Sequence, residues 1–163
     1  MTRAVAWARR VRGLTAGDWL VLGESAAVAL GVEAALRALP LARVLDAIQG
    51  RPVVAASALD RPSRERIARL ARWPSRVLPV PATCLRIALV QVAVLRRRQV
   101  PATVRFGVQR RGSGALEFHA WADCDGPIDD LVGAAACRAL EPAGAITRNV
   151  RWSSPAAPPD VPA

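Results

Sequence analysis

The sequence predicts an α+β fold in which helices come first and a small antiparallel sheet follows. Three observations predict it. Apolar residues fall in helical runs up to about residue 96, cut by Pro40, Gly50 and the cluster Pro74, Pro79 and Pro81. From residue 102 the period changes to two, the signature of half-buried strands. Between the two regimes lies a helix that is apolar nearly all round and begins with a cysteine, Cys84. The sheet after it carries the only histidine, His119.

Composition narrows the function. A chain of 163 residues suits one domain rather than a two-domain enzyme. At 52% hydrophobic it is no disordered basic tail. Three cysteines make no disulfide framework, and an odd count fits a reducing compartment, so a cytoplasmic location is expected. The net charge of +10 invites an acidic partner, but all 23 basic residues are Arg and they are spread along the chain. Only seven aromatics accompany them and no aromatic-rich RNA-binding motif occurs, so nucleic acid is not expected as a partner. No internal repeat is present.

The elements follow in order. The start, with Arg9-Arg10 and the apolar stretch from Trp19 to Leu39, has the look of a signal sequence or membrane anchor. Asp18, Glu24 and Glu33 interrupt it. A carboxylate near the centre of a spanning helix costs about 2.5 to 3.5 kcal/mol on insertion scales. Residues 16 to 39 therefore read as a buried or partner-facing helix, capped by Thr15 or Asp18 and stopped by Pro40. Membrane-surface contact through the Arg-rich start stays open. A short helix covers Leu41 to Gln49 and ends at Gly50. After a loop, residues 63 to 73 form an amphipathic helix whose Arg64, Arg66, Arg69 and Arg72 read as a solvated face. The three prolines then give an extended connector. Thr83 caps the central helix, and Arg96, Arg97 and Arg98 close it where cations complement the helix dipole.

Ala102 to Gln109 and Ala115 to Cys124 are the strands, joined through Arg110 to Gly114. On the second strand Glu117, His119, Trp121 and Asp123 share one face. Asp125-Gly126 signals a tight turn into a short third strand, Pro127 to Val132. Residues 133 to 152 carry no clear pattern. The organisation is thus an N-terminal helical region (1–77), a core (78–152) and a Pro-rich disordered tail (153–163).

Cysteine at a helix start, followed by a sheet with the sole histidine, is the layout of a Cys-His hydrolase. First-turn amides stabilise a thiolate and can hold an oxyanion. His119 would take the thiol proton and return it to the leaving amine. A carboxylate should orient the imidazole. If Asp125-Gly126 is a two-residue turn, Trp121 pairs with Asp130 and Ala122 with Asp129. Asp130 then joins the His119 face and Asp129 points away. Asp123 shares the face but lies roughly 13 Å along the strand at ~3.3 Å per residue. A bulge near Pro127 would exchange Asp130 for Asp129. Zinc held by Cys84, Cys124, Cys137 and His119 is disfavoured because no Cys-x-x-Cys pair exists. Cys124 and Cys137 read as structural.

The segment Cys84 to Ala102 (Cys-Leu through Arg-Arg-Arg-Gln-Val-Pro-Ala), then Phe106-Gly-Val108 and Phe118-His-Ala-Trp-Ala-Asp123, resembles the lasso peptide biosynthesis B proteins. The resemblance spans residues 78 to 131. It implies a transglutaminase-like, papain-like core preceded by N-terminal helices. It also implies a cysteine protease that removes the leader of a ribosomally made lasso precursor without metal or organic cofactor. It assigns the nucleophile to Cys84, the base to His119 and the third member to Asp130. It implies as partners the precursor leader, a separate small winged-helix recognition protein and an asparagine-synthetase-like cyclase. Gln99 departs from the family, which often has Gly there, and Phe118 stands where a small residue is common. Two other readings compete: a non-catalytic adaptor for an acidic peptide or membrane surface, and a related hydrolase or acyltransferase with another substrate.

Overall fold

The first helix begins with a reciprocal cap. Thr15 Oγ1 accepts from the Asp18 N–H, and the Asp18 carboxylate accepts from the Thr15 N–H at 2.7 Å, which opens α1 (Ala16–Ala38). The computed structural model describes residues 13–50, 52–53, 58–79, 81–110, 116–128 and 137–140. The tail and residues 1–12 lie outside them. Val21, Ser25, Val28, Ala29 and Val32 form the buried stripe of α1, at three- and four-residue spacing. Pro40 separates α1 from α2 (Leu41–Gln49), which adds Val44 and Leu45 to the same core.

The next helix, α3 (Arg61–Ala71), starts two residues before the expected Ser63. Asp60 accounts for this, since its carboxylate accepts from the Ser63 N–H at 3.1 Å, and Pro62 is compatible with a first helical turn. The extended connector expected after it is partly helical: α4 (Pro74–Val77) is one turn begun by Pro74.

Thr83 caps α5 (Cys84–Arg96), as its side chain accepts from the Arg86 N–H. Leu89, Val92, Val94 and Leu95 are fully buried, at roughly 1.5 to 3 kcal/mol of hydrophobic transfer for each such large side chain. Gln91 Nε2, also buried, donates to the Ala68 carbonyl and ties α5 to α3. At the far end the Val100 N–H returns to the Leu95 carbonyl (3.1 Å) and the Gln99 N–H to that of Arg96 (3.0 Å). This is the Schellman pattern, and it puts Gln99 at φ 59, in the left-handed region where Gly is usual.

The sheet contains β1 (Thr103–Arg110), β2 (Leu116–Asp123) and the two-residue β3 (Arg138–Ala139), in the order β2-β1-β3 and antiparallel throughout. β3 comes from the stretch that carries no pattern in the sequence. Val104 pairs with Ala122 and Phe106 with Ala120. Val104, Ala120 and Ala122 belong to the continuous core that also holds Leu89, Val92 and the α1 stripe.

Beyond β2 the expected two-residue turn is replaced. Asp123 pairs with Pro127, so Cys124, Asp125 and Gly126 form a three-residue loop, with Asp125 at φ 56 and Gly126 at φ 112. The register is therefore one residue away from that expected. Pro127 makes an isolated bridge and Ile128 belongs to no strand; the rest of the expected third strand lies outside the described residues.

Of the arginines read as a solvated face, Arg66 and Arg69 are exposed, but several α3 arginines also hold other elements. Arg66 grips Asp18 through two bonds of 2.8 and 2.6 Å. Arg64 bonds the Leu59 carbonyl, the Cys124 sulfur and the Asp125 carboxylate, and Arg61 bonds the carbonyls of Asp125 and Pro127. One side of α3 thus holds the turn after β2. Among the three arginines closing α5, Arg96 donates to the carbonyls of Gln49 and Ala102, and Arg97 and Arg98 pair with Glu24. Their role is tertiary attachment as well as dipole compensation.

By length and composition alone α1 could cross a membrane. Its three acids nevertheless each meet arginine from a later element: Asp18 with Arg66, Glu24 with Arg97 and Arg98, and Glu33 with Arg86.

Candidate active site

Cys84 is the first residue of α5 and is partly buried against the core. Of the first-turn amides, that of Arg86 is taken by Thr83 Oγ1. Those of Cys84 and Leu85 have no carbonyl inside the helix to bond, as geometry requires of any helix start. Arg86, one residue further along this turn, donates to Glu33 at 2.6 Å. The Glu33 carboxyl is buried, and the Arg86 hydrogen bond holds it below the usual carboxylate range; burial opposes the shift, and the charges of Arg86 and Arg37 assist it. The same pair fixes the start of α5 to the C-terminal half of α1.

His119 is buried on β2, the strand against which α5 packs. Its neighbour on the same face is Trp121, with ring centroids 5.9 Å apart and planes at 22°. Alternation gives Ala120 and Ala122 to the side shared with the helical core, and His119 and Trp121 to the other. Gly107 is the cross-strand partner of His119. A Cβ at Gly107 would stand 2.8 and 2.9 Å from two Trp121 ring carbons and 3.0 Å from Cys137 Cβ. The indole lies over β1 only because this position has no side chain. Trp121 is buried too, and its Nε1 meets no acceptor among the described residues.

Cys84 and His119 thus lie on two elements that pack together, but the imidazole is on the sheet face opposite the one that Ala120 and Ala122 share with the helical core and Cys84. Asp130 and Asp129 both lie outside the described residues. Cys124 is buried beneath Arg64, and Cys137 is partly buried beside Gly107. Both positions differ from that of Cys84, which alone stands at a helix start. Among the described residues no three His, Cys, Asp or Glu side chains cluster as metal ligands.

Sequence reasoning put Trp121 on the His119 face but did not give its stacking on the imidazole, Gly107 beneath it or the Glu33–Arg86 pair. Phe106-Gly-Val108 did contain a signal, because glycine within a strand marks a close approach. The arginine partners left no signal, since only the tertiary fold assigns them.

Neither the curated proteins nor the solved structures include a match to the chain. A family model described as the transglutaminase-like superfamily matches residues 26–143, from within α1 to past β3. Members of that superfamily are generally cysteine peptidases or acyltransferases, a chemistry consistent with a helix-start cysteine. By this match, which covers more than half of its length, the chain belongs to the transglutaminase-like superfamily.

Proposed function

We propose that the protein is a cysteine peptidase that cleaves the leader from a ribosomally made lasso precursor. The observation that carries the catalytic part is Cys84 at the capped start of a buried helix, packed on the strand with the only histidine, in a transglutaminase-like chain. Likeness of Cys84 to Ala102 and of Phe118 to Asp123 to the lasso B proteins supports the substrate.

The chemistry follows from these groups. With its ring brought within reach of the sulfur, His119 accepts the Cys84 proton as sulfur attacks the scissile carbonyl. First-turn amides of α5 receive the oxyanion. The intermediate collapses to a thioester, and the amine leaves with the proton from His119. Water, deprotonated by His119, then attacks the thioester, which releases the acid and returns the proton to sulfur. An orienting carboxylate completes the set. The resemblance assigns it to Asp130, with Asp129 as the alternative that a bulge near Pro127 would select. The peptidase works in the cytoplasm. Its partners are a separate winged-helix recognition protein that presents the leader and a cyclase that closes the ring.

The test incubates precursor, recognition partner and either wild-type or Cys84→Ala protein, and follows leader release by mass spectrometry. Loss of release in the variant is expected; release at the wild-type rate overturns the mechanism. Asp129→Ala and Asp130→Ala, made in parallel, identify the orienting residue as the one whose loss costs more turnover. An acyltransferase is the second reading, since the superfamily includes such enzymes. A product joined to an added amine, formed in place of free acid, would establish it.

A further inference from the structure

A groove away from Cys84 has no part in that chemistry. It encloses about 500 Å³ between the start of α1 and the corner of α3 and α4, and Leu70, Trp73, Arg66, Arg69, Arg72 and Arg76 line it. Arg66 is committed to Asp18. Arg69 and Arg76 are exposed and meet no acidic side chain among the described residues. The groove borders α1 at Leu22, whereas the Cys84 end of α5 is fixed to α1 at Glu33, about 16 Å further along at ~1.5 Å per residue.

Charge selects the occupant. The twelve residues before Gly13 include four arginines and no acid, so their charge does not complement a cationic groove. A second copy brings +10 to a site that is already positive. Guanidinium groups match carboxylates in geometry, and the indole of Trp73 beside Leu70 offers an apolar seat. A ligand that uses both carries acidic side chains and an apolar anchor on one short chain. A bilayer is a poor fit, because a concave site cannot lie against a flat surface. A nucleic acid strand would use successive stacking platforms along a phosphate track, and a single indole provides only one.

We propose that this groove is an exosite for an acidic peptide segment with an apolar anchor, contributed by the peptide substrate outside its scissile bond. The substrate as source rests on the peptidase reading above; the peptide site itself does not.

The experiment uses full-length Cys84→Ala protein and fluorescence anisotropy with a fluorescein-labelled 15-residue peptide of Glu, Leu and Gly. Its counterpart with Gln for Glu is the control. Binding of the Glu peptide at least tenfold tighter than the Gln peptide is expected, with a Kd raised tenfold or more in Arg69→Gln/Arg76→Gln and in Trp73→Ala. An unchanged melting curve of the double variant shows that its fold is intact. Equal binding of the two peptides, or wild-type affinity in the double variant, overturns the proposal. So does phosphatidylglycerol-vesicle or oligothymidylate binding that is lost in the double variant while the Glu peptide is not bound. If Cys84→Ala still releases leader while the Glu peptide binds as expected, the exosite stands and only its link to cleavage falls. If leader release needs Cys84 but the Glu peptide does not bind, the exosite alone falls.

Discussion

The two ends of α5 are built from the same kinds of residue and used differently. At the C-terminal end the three arginines are occupied in joining elements. Arg96 holds the carbonyls of Gln49 and Ala102, Arg97 and Arg98 hold Glu24, and the Schellman bonds fold Val100 back onto Leu95. At the N-terminal end, among the described residues, Thr83 takes the Arg86 amide and Arg86 pairs with Glu33, while the amides of Cys84 and Leu85 have no carbonyl inside the helix. A helix has unsatisfied groups at both ends. This protein satisfies the carbonyl end and keeps the amide end, the one that favours anions, beside its thiol.

Labelling gives the sharpest break in that comparison. Iodoacetamide should modify Cys84 at least tenfold faster than Cys124, which is buried under Arg64; mass spectrometry of the labelled peptides reads both rates. Equal rates would remove the distinction between the helix start and the core. Gly107→Ala comes next. The new methyl group would overlap the Trp121 ring, so a loss of about 1 to 3 kcal/mol is expected in denaturant melts, with lower turnover as the His119 stack shifts. Thr83→Ala removes one cap and should cost about 0.5 to 2 kcal/mol. It should also slow Cys84 labelling, whereas Arg98→Ala at the other end should lower stability and leave labelling unchanged.

Acid should reveal the α1 pairs. The hydrogen bonds of Arg66 hold Asp18 well below its ordinary range, and those of Arg86 lower Glu33. A folded-state pKa below the unfolded one stabilises above the unfolded value and loses that contribution as pH falls. Tm should therefore be flat from about pH 7 to 5 and fall below about pH 4. Asp18→Asn/Glu33→Gln should have a lower Tm at pH 7 and a shallower acid decline, followed by circular dichroism. The smallest effect belongs to Gln99→Gly. A left-handed residue with a Cβ costs roughly 1 to 2 kcal/mol, and the added chain entropy of glycine recovers about 0.5 to 1. The net gain expected in chemical denaturation is about 1 kcal/mol or less.

Local chemistry made much of this legible in advance. Thr83 before Cys84 marks a helix start, and Arg-Arg-Arg-Gln-Val-Pro marks its end. The alternation around Val104 and His119 marks two strands on a common face scheme. What escaped was decided at a distance. Asp125-Gly126 has the local chemistry of a two-residue turn, yet the pairing of Asp123 with Pro127 makes a three-residue loop, and Arg61 and Arg64 reach it from α3. β3 is two residues long, too short for any period to be visible. A solvated face was the fair local reading of the α3 arginines and it holds for Arg69; the partners of Arg61, Arg64 and Arg66 lie up to 66 residues away.

The acids of α1 also bear on how the chain assembles. Asp18 finds its partner 48 residues later and Glu33 finds its own 53 residues later, while Glu24 waits for Arg98. During synthesis, then, a 23-residue apolar helix emerges with Asp18 and Glu24 uncompensated, Glu33 held only by Arg37 of its own last turn, and its buried stripe bare until later helices have been made. Contacts this distant in sequence close slowly, and the nascent intermediate is open to aggregation or to capture by chaperones. The arginines that follow complete the helix's burial only after most of the domain exists, so the N-terminal helix is formed early and secured late.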